Sequence, residues 1–365
     1  MDVPGAQRIA AAARALGPEL RELVAIHADA IAGALARQHE LVAWDREQLV
    51  GQLQTQLYGL STERFRELGG TPVRVLERRR QPLESVELVW RHLRQGRRVR
   101  LEHEPGACTA AIDLLRNMSH ALGSGVLTVA EHPWAGDPPR PASGSTSRMT
   151  RAALDVSDDP LTWPLVGVYE PGPRIALVEA PADRELAAYV LARACLRRTG
   201  TDPRAVKRAY VVGTVDRLQR HLQRLWVGAT MGPATDPDSF AGPVDEELRD
   251  AFLDSIARWE RHDGVSVWSP GGVLERAGDS GIYLAPALFA APWPVPDLPL
   301  EGPVLVVVRC TVDQARAAAE NAARQSGHAI QIGGRPRTYP GDVRVIRGAL
   351  LVERLPPGLP EPRPV

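Results

Sequence analysis

From Val73 onward the chain alternates short apolar runs with helical patterns, and that alternation constrains its fold more than any other feature. VRVL (73–76), RVRLE (98–102), GVLTVAE (125–131), VGVYE (166–170), RIALVE (174–179), AYVVG (209–213) and PVLVVVR (303–309) read as strands. Helical spacing covers 84–95, 107–122, 149–155, 183–198, 214–226, 244–261 and 312–325. Strands separated by helices predict parallel sheets with crossover connections. Two further strands are expected near 343–347 and 349–353.

The first 60 residues differ. Ala, Leu, Ile and Val recur at three- and four-residue intervals from Ile9 to Leu57, which predicts helices, and Gly17-Pro18 is expected to break the first of them. Gly96 stops the helix that precedes it. Residues 132–147 are a Pro/Gly/Ser loop, and the helix at 244–261 precedes a turn-rich stretch holding Trp268, Gly271 and Gly272. The tail 354–365 is too rich in proline to be regular and reads as an extended arm.

With 365 residues and 44% hydrophobic content, the chain can bury two cores. Its 44 Lys+Arg balance 44 Asp+Glu, so there is no long-range pull on nucleic acid or an anionic membrane. The basic residues are almost all arginine, and Lys207 is the only lysine. This argues against Schiff-base and phosphate-lysine chemistry, because arginine does not give up its proton. The excess of Ala, Arg and Pro suits a GC-rich bacterial coding bias. Cys108, Cys195 and Cys310 are widely spaced and odd in number, so no disulfide framework or metal quartet is expected. There is no apolar stretch long enough to span a bilayer and no apolar signal core in MDVPGAQRIA, so the expected location is the cytoplasm.

Seven segments in order resemble the aldehyde dehydrogenase superfamily. Gly144-Ser145-Thr146 looks like the Gly-Ser-Thr that opens the helix under the cofactor pyrophosphate. Val168-Tyr169-Glu170-Pro171-Gly172 looks like the Glu-Leu-Gly-Gly segment, and RIALVEAPAD (174–183) like the strand ending in Ala-Asp. Arg208-Ala209-Tyr210-Val211 is similar to the Arg-x-x-Val strand after the nucleophile. GATMGPATDPDSFAGP (228–243), Gly302-Pro303-Val304 and GALLVERLPPGLP (348–360) complete the set. The resemblance implies an α/β fold of two Rossmann-like parallel-sheet lobes, 1–169 cofactor-binding-like and 170–353 catalytic-domain-like. It also implies that the oligomerisation hairpin and the final strand are missing, so the family's standard tetramer is not expected.

The same resemblance implies a lost chemistry. The family's nucleophile is the Cys of Gly-Gln-x-Cys, needed as a thiolate. Counted from Arg208, the matching residues are Gly200-Thr201-Asp202-Pro203, which puts Pro203 at the nucleophile. Proline also lacks the N–H that would serve an oxyanion. Arg80 stands at the second oxyanion donor, Glu102 at the cofactor lysine, Pro299 at the glutamate that holds the nicotinamide ribose, and Met149 at a cofactor-approach glycine. Glu170 alone matches, at the general base, and Gly144, Ser145 and Thr146 are left as a vestigial pyrophosphate site. Cys195, eight residues before Pro203, reads as a buried structural thiol.

The expected function is therefore that of a catalytically inactive homologue acting through a protein partner, with no cofactor and no metal. One alternative is an NAD(P)-dependent aldehyde oxidoreductase with a rebuilt site. A second is a sensor of a small anionic ligand, suggested by the arginine run Arg74, Arg78, Arg79, Arg80, Arg91, Arg94, Arg97, Arg98 and Arg100. That run lacks aromatic interleaving suited to base stacking, so nucleic acid is not an expected partner. His103, between Glu102 and Glu104, reads as a surface or strand-end group. Trp268, Tyr283, Phe289 and Trp293 read as packing.

Overall fold

The computed structural model of the chain describes residues 5–65, 69–134, 160–166, 174–276, 278–325, 328–334 and 342–346. The chain divides into two compact units, residues 1–39 with 46–170, and residues 40–45 with 171–365.

In the first unit, the amphipathic N-terminal pattern forms α1 (Ala6–Ile26), α2 (Ala28–His39) and α3 (Ala43–Thr62). α1 buries Ile9, Ala10, Ala13, Gly17, Leu20 and Val24, one stripe at helical spacing. Gly17-Pro18 does not break it, contrary to the sequence reading; Pro18 lies inside an unbroken α1. The buried stripe continues on both sides of the proline, and its packing outweighs one missing hydrogen bond. The breaks come instead at His27 and at Glu40–Val42.

β1 (Val73–Glu77), α4 (Glu84–Arg94), β2 (Val99–His103), α5 (Thr109–Leu122), β3 (Leu127–Val129) and β4 (Leu165–Val166) follow. The sheet order is β3-β2-β1-β4 and every pair is parallel. Gly96 ends α4 with a φ of +79°, and a Cβ there would lie 2.5 Å from the Ala6 carbonyl oxygen. Only glycine suits both conditions.

The second unit holds β5 (Arg174–Val178), α6 (Arg184–Leu196), β6 (Arg208–Val212), α7 (Asp216–Gly228), α8 (Glu246–Arg261) and β7 (Ser266–Ser269). It continues with β8 (Gly272–Leu274), β9 (Tyr283–Ala285), β10 (Ala287–Ala291), β11 (Val304–Cys310), α9 (Val312–Arg324), β12 (His328–Ile332) and β13 (Asp342–Ile346). Seven strands form one sheet in the order β13-β12-β5-β6-β11-β10-β7, parallel except for the antiparallel edge strand β7. β8 and β9 form a separate antiparallel pair.

Both faces of the large sheet are covered, which is why β11 reads as an unbroken apolar run. Leu305 and Val307 enter one core with α6, α7 and Trp44. Val304, Val306 and Val308 enter the other with α8 and α9. The helix starts are written locally. Asp183 Oδ1 accepts from the Glu185 and Leu186 amides at 2.8 and 3.3 Å, and Thr311 with Gln314 closes a capping box on α9.

The turn-rich stretch after α8 contains four strands, β7 to β10, and β12 was also missed in the sequence reading. Their Ser, Gly and Ala residues give weak strand signals, and pairing with the parallel core supplies the order. The expected helix at 149–155, the strand at 349–353 and the arm 354–365 lie outside the described residues. Among the described residues, no helix is long and apolar enough to cross a membrane.

Candidate functional site

α6 stops at Leu196, and the chain then turns the wrong way. Arg198 (φ 51°, ψ 42°), Thr199 (φ 52°, ψ 35°) and Gly200 (φ 77°) are three successive left-handed residues. Two of them carry a Cβ, at a cost of about 1–2 kcal/mol each. The surroundings hold them there. The Arg198 amide donates to Asp45 Oδ1 at 3.2 Å, and Thr199 Oγ1 donates to the Gly242 carbonyl at 3.0 Å. Lys207 Nζ donates to the carbonyls of Gly200, at 2.7 Å, and Gly302. A Cβ on Gly200 would lie 2.2 Å from the Gly302 oxygen, so the turn sits against the entry of β11 at a distance only glycine permits.

This turn delivers the tetrapeptide Gly200-Thr201-Asp202-Pro203. Asp202 is buried; its Oδ1 accepts from the Arg204 amide at 2.7 Å, and its Oδ2 lies 3.0 Å from Arg197 Nε. Pro203 is half-buried. It has no nucleophilic atom and no amide hydrogen. The nearby thiol cannot replace it: Cys195 is fully buried, its Sγ points to the Val304 carbonyl at 3.4 Å, and burial pushes its pKa up to about 11 against a smaller opposing pull from Lys207. At neutral pH a thiol of that pKa is ionised about once in ten thousand.

The sequence did not show where the single lysine sits: it is half-buried with its amine turned onto two carbonyls, and desolvation pushes its pKa down against the opposing influence of Cys195, Glu301 and Asp202. Its two carbonyl partners make it a tie between the entries of β6 and β11 rather than a free nucleophile. Asp45 was also missed. It is 1% exposed, and burial raises its pKa to about 7 despite Arg198 and Arg197.

In the first unit, the positions aligned with cofactor contacts are spent on the protein itself. Glu102 is 4% exposed and faces Arg100 Nε at 3.2 Å and Arg74 Nη1 at 3.7 Å. Arg74 also donates to the Trp163 carbonyl and stacks over Trp134, while Arg98 stacks over Trp163. Arg91 pairs with Glu87 at 2.7 Å, and Arg78 donates to Gln81. His103 is buried at the strand end, not at the surface. Pro299, in the second unit, accepts the Trp259 indole N–H at 2.8 Å through its carbonyl and has no carboxylate to offer a ribose. Glu102 and Pro299 therefore offer neither the lysine nor the glutamate that the resemblance implies at these positions.

Gly144, Ser145, Thr146, Met149 and Glu170 lie outside the described residues. Among the described residues, no group of three His, Cys, Asp or Glu side chains could hold a metal. The aromatic set is packing: Tyr283 and Trp268 belong to one core, Phe289 and Trp293 to the other.

The aldehyde dehydrogenase family model matches residues 171–333. No curated protein matches the sequence. Among solved structures, an NAD-dependent aldehyde dehydrogenase from Sinorhizobium meliloti superposes with a TM-score of 0.71 at 18% identity, over 92% of this chain and 74% of that one. A methylmalonate-semialdehyde dehydrogenase from Oceanimonas doudoroffii gives 0.66 at 17%, over 92% and 74%. An NAD-dependent benzaldehyde dehydrogenase from Corynebacterium glutamicum gives 0.70 at 15%, over 93% and 80%. At these identities the likeness establishes the fold. Residues 171–333 therefore match the aldehyde dehydrogenase family, and the chain shares the fold of these dehydrogenases over most of its length.

Proposed function

We propose that this protein is a catalytically inactive aldehyde dehydrogenase homologue that acts by binding a protein partner, an active paralogue being one candidate, and not by turning over an aldehyde. The observation that carries the reading is Pro203. The family mechanism needs a thiolate there, and a backbone N–H beside it to hold the oxyanion. Proline removes both. Cys195 is committed to the core and held as a neutral thiol.

The cofactor positions support the same conclusion. Glu102 would set a carboxylate against the cofactor, and Pro299 offers no ribose ligand. A protein built this way has no use for bound NAD(P). The arginine run that suggested an anionic ligand is engaged by Glu63, Glu87, Glu102, Trp134 and Trp163, which weakens the sensor alternative.

The test is a direct assay of the purified protein with NAD and NADP against aliphatic, aromatic and semialdehyde substrates, together with calorimetric titration of both cofactors. The expected result is no nicotinamide reduction and no cofactor binding at millimolar concentration. Any turnover would overturn the reading; its loss in Cys195→Ala would place the nucleophile at Cys195, and its survival would place it elsewhere. Affinity isolation from the native host then identifies the partner; a stoichiometric companion is expected, and a bare monomer contradicts the partner role.

A further inference from the structure

The left-handed turn joins three unfavourable terms in one place. Arg198 and Thr199 hold backbone angles that side-chain-bearing residues avoid. Asp45 is a buried carboxylate with one oxygen on the Arg198 amide and the other without a hydrogen-bond partner among the described residues. Lys207 is half-buried, its amine turned onto two carbonyls and desolvated there. Against these stand a few polar ties: Thr199 to Gly242, Asp45 to Arg198, Lys207 to Gly200 and Gly302, and Arg197 to Asp202. If the turn flips outward, the strain and both desolvation penalties are relieved together.

We infer that the turn Arg198–Gly200 is a latch: closed around Asp45 and Lys207 as observed, and driven open when Asp45 takes up its negative charge, exposing the start of β6. The groups facing Asp45 are Arg197 and Arg198, which favour its charge, and Asp202, which opposes it; Arg193 lies 4.7 Å over the ring of the adjacent Trp44. Burial outweighs both arginines and moves the carboxyl to about 7. Opening restores an ordinary carboxylate in water, so rising pH through neutrality shifts the balance toward the open form. This inference goes beyond the loss of chemistry and does not rest on it. A positive dehydrogenase assay would leave it standing, and its own failure would leave the inactive reading standing.

The sequence supplies the reporter. Lys207 is the only lysine, so its amine is the only one besides the N-terminus that an N-hydroxysuccinimide ester can label. The extent of labelling at Lys207 is read by mass spectrometry on the native full chain between pH 6 and 8.5, for the wild type and for Asp45→Asn. The asparagine keeps an oxygen acceptor for the Arg198 amide and cannot ionise. Dividing one rate by the other at each pH removes the intrinsic pH dependence of the reagent and of the amine. The ratio of wild type to variant is expected to rise by about tenfold or more over this range. A flat ratio overturns the latch.

A second measurement needs no variant. Labelling of the wild type at pH 8.5 is followed in increasing urea below the unfolding transition. Local opening gives a rate that hardly depends on urea, because little surface is exposed. A rate that tracks global unfolding from the first addition of urea overturns the proposal.

Discussion

Each unit buries a carboxylate whose pKa is raised to about 7, and the two are built differently. Glu77, at the end of β1, faces no cation that offsets its burial. Its oxygens accept the Leu83 amide at 2.9 Å and the Ser85 amide at 3.3 Å, at the start of α4, where Leu83 itself has a φ of +71°. Asp45 sits between two arginines, accepts one amide, and leaves its second oxygen unpaired. Glu77 is a remote cap for a helix that lacks a local one. Asp45 is a charge whose removal by a proton suits its surroundings. Burial is the largest influence on both, so a similar shift arises from a structural cap and from a strained turn. The shift alone does not tell them apart; the number of amides served does.

The largest expected effect lies in the turn. Gly200→Ala places a Cβ against the Gly302 and Pro303 backbone in a left-handed conformation. It should cost more than about 3 kcal/mol in chemical denaturation. Gly96→Ala meets the same two obstacles in the first unit, but its obstacle is the Ala6 carbonyl in the first residue of α1. A helix end can shift where a strand entry cannot, so about 1–2 kcal/mol is expected. Equal costs would mean that the β11 entry is as yielding as a helix terminus.

Next comes the cap. Glu77→Ala strands two buried amides and should destabilise by about 2–4 kcal/mol. Asp45→Asn keeps the acceptor and should cost under about 1 kcal/mol at pH 6 and less at pH 8. The pH profile sharpens the contrast. Both acids have folded values above their unfolded ones, so the folded protein holds these protons more tightly. Their cost is absent below about pH 4, builds as pH rises, and is complete above about 7, a loss of a few kcal/mol in all. In Asp45→Asn the decline between pH 5 and 7 should be shallower than in the wild type. An unchanged slope would show that Asp45 ionises normally in the folded state.

Much of the fold was legible because β1, β2, β5, β6 and β11 are apolar runs between turn residues, and helix starts such as Asp183 and Thr311 carry their caps in sequence. β7 to β10 were hidden because Ser, Gly and Ala take strand geometry from their neighbours and not from their own preference. The place of Pro203 at the nucleophile rests on counting back from Arg208 and stays a proposal. Asp45 could not be read from the sequence, since its partner Arg198 lies 153 residues away and nothing in Trp44-Asp45-Arg46 announces it. Lys207 carried a structural signal that the sequence reading did not use. A chain that keeps one lysine among so many arginines marks a place where a compact, three-donor cation fits and a planar guanidinium does not.

The smallest expected effect tests whether, on the proposed reading, the family chemistry fails in one unit or in both. Pro203→Cys restores a thiol and an amide hydrogen at the nucleophile position. If the defect were confined to this turn, aldehyde-dependent reduction of NAD or NADP should appear. It is expected not to, for two reasons. The new residue would sit in a turn closed by Asp202, whose Oδ1 holds the Arg204 amide and whose carbonyl holds the Ala205 amide at 2.7 Å. A nearby carboxylate disfavours the thiolate. And, on the proposed reading, Pro299 offers no ribose ligand and Glu102 stands where the resemblance implies a lysine, buried against Arg74 and Arg100. Titration of the new thiol with iodoacetamide separates the two reasons. Ready alkylation at pH 7 without turnover puts the defect at the cofactor positions. Turnover in this single variant would show that those positions still serve, and would reduce the loss to one residue.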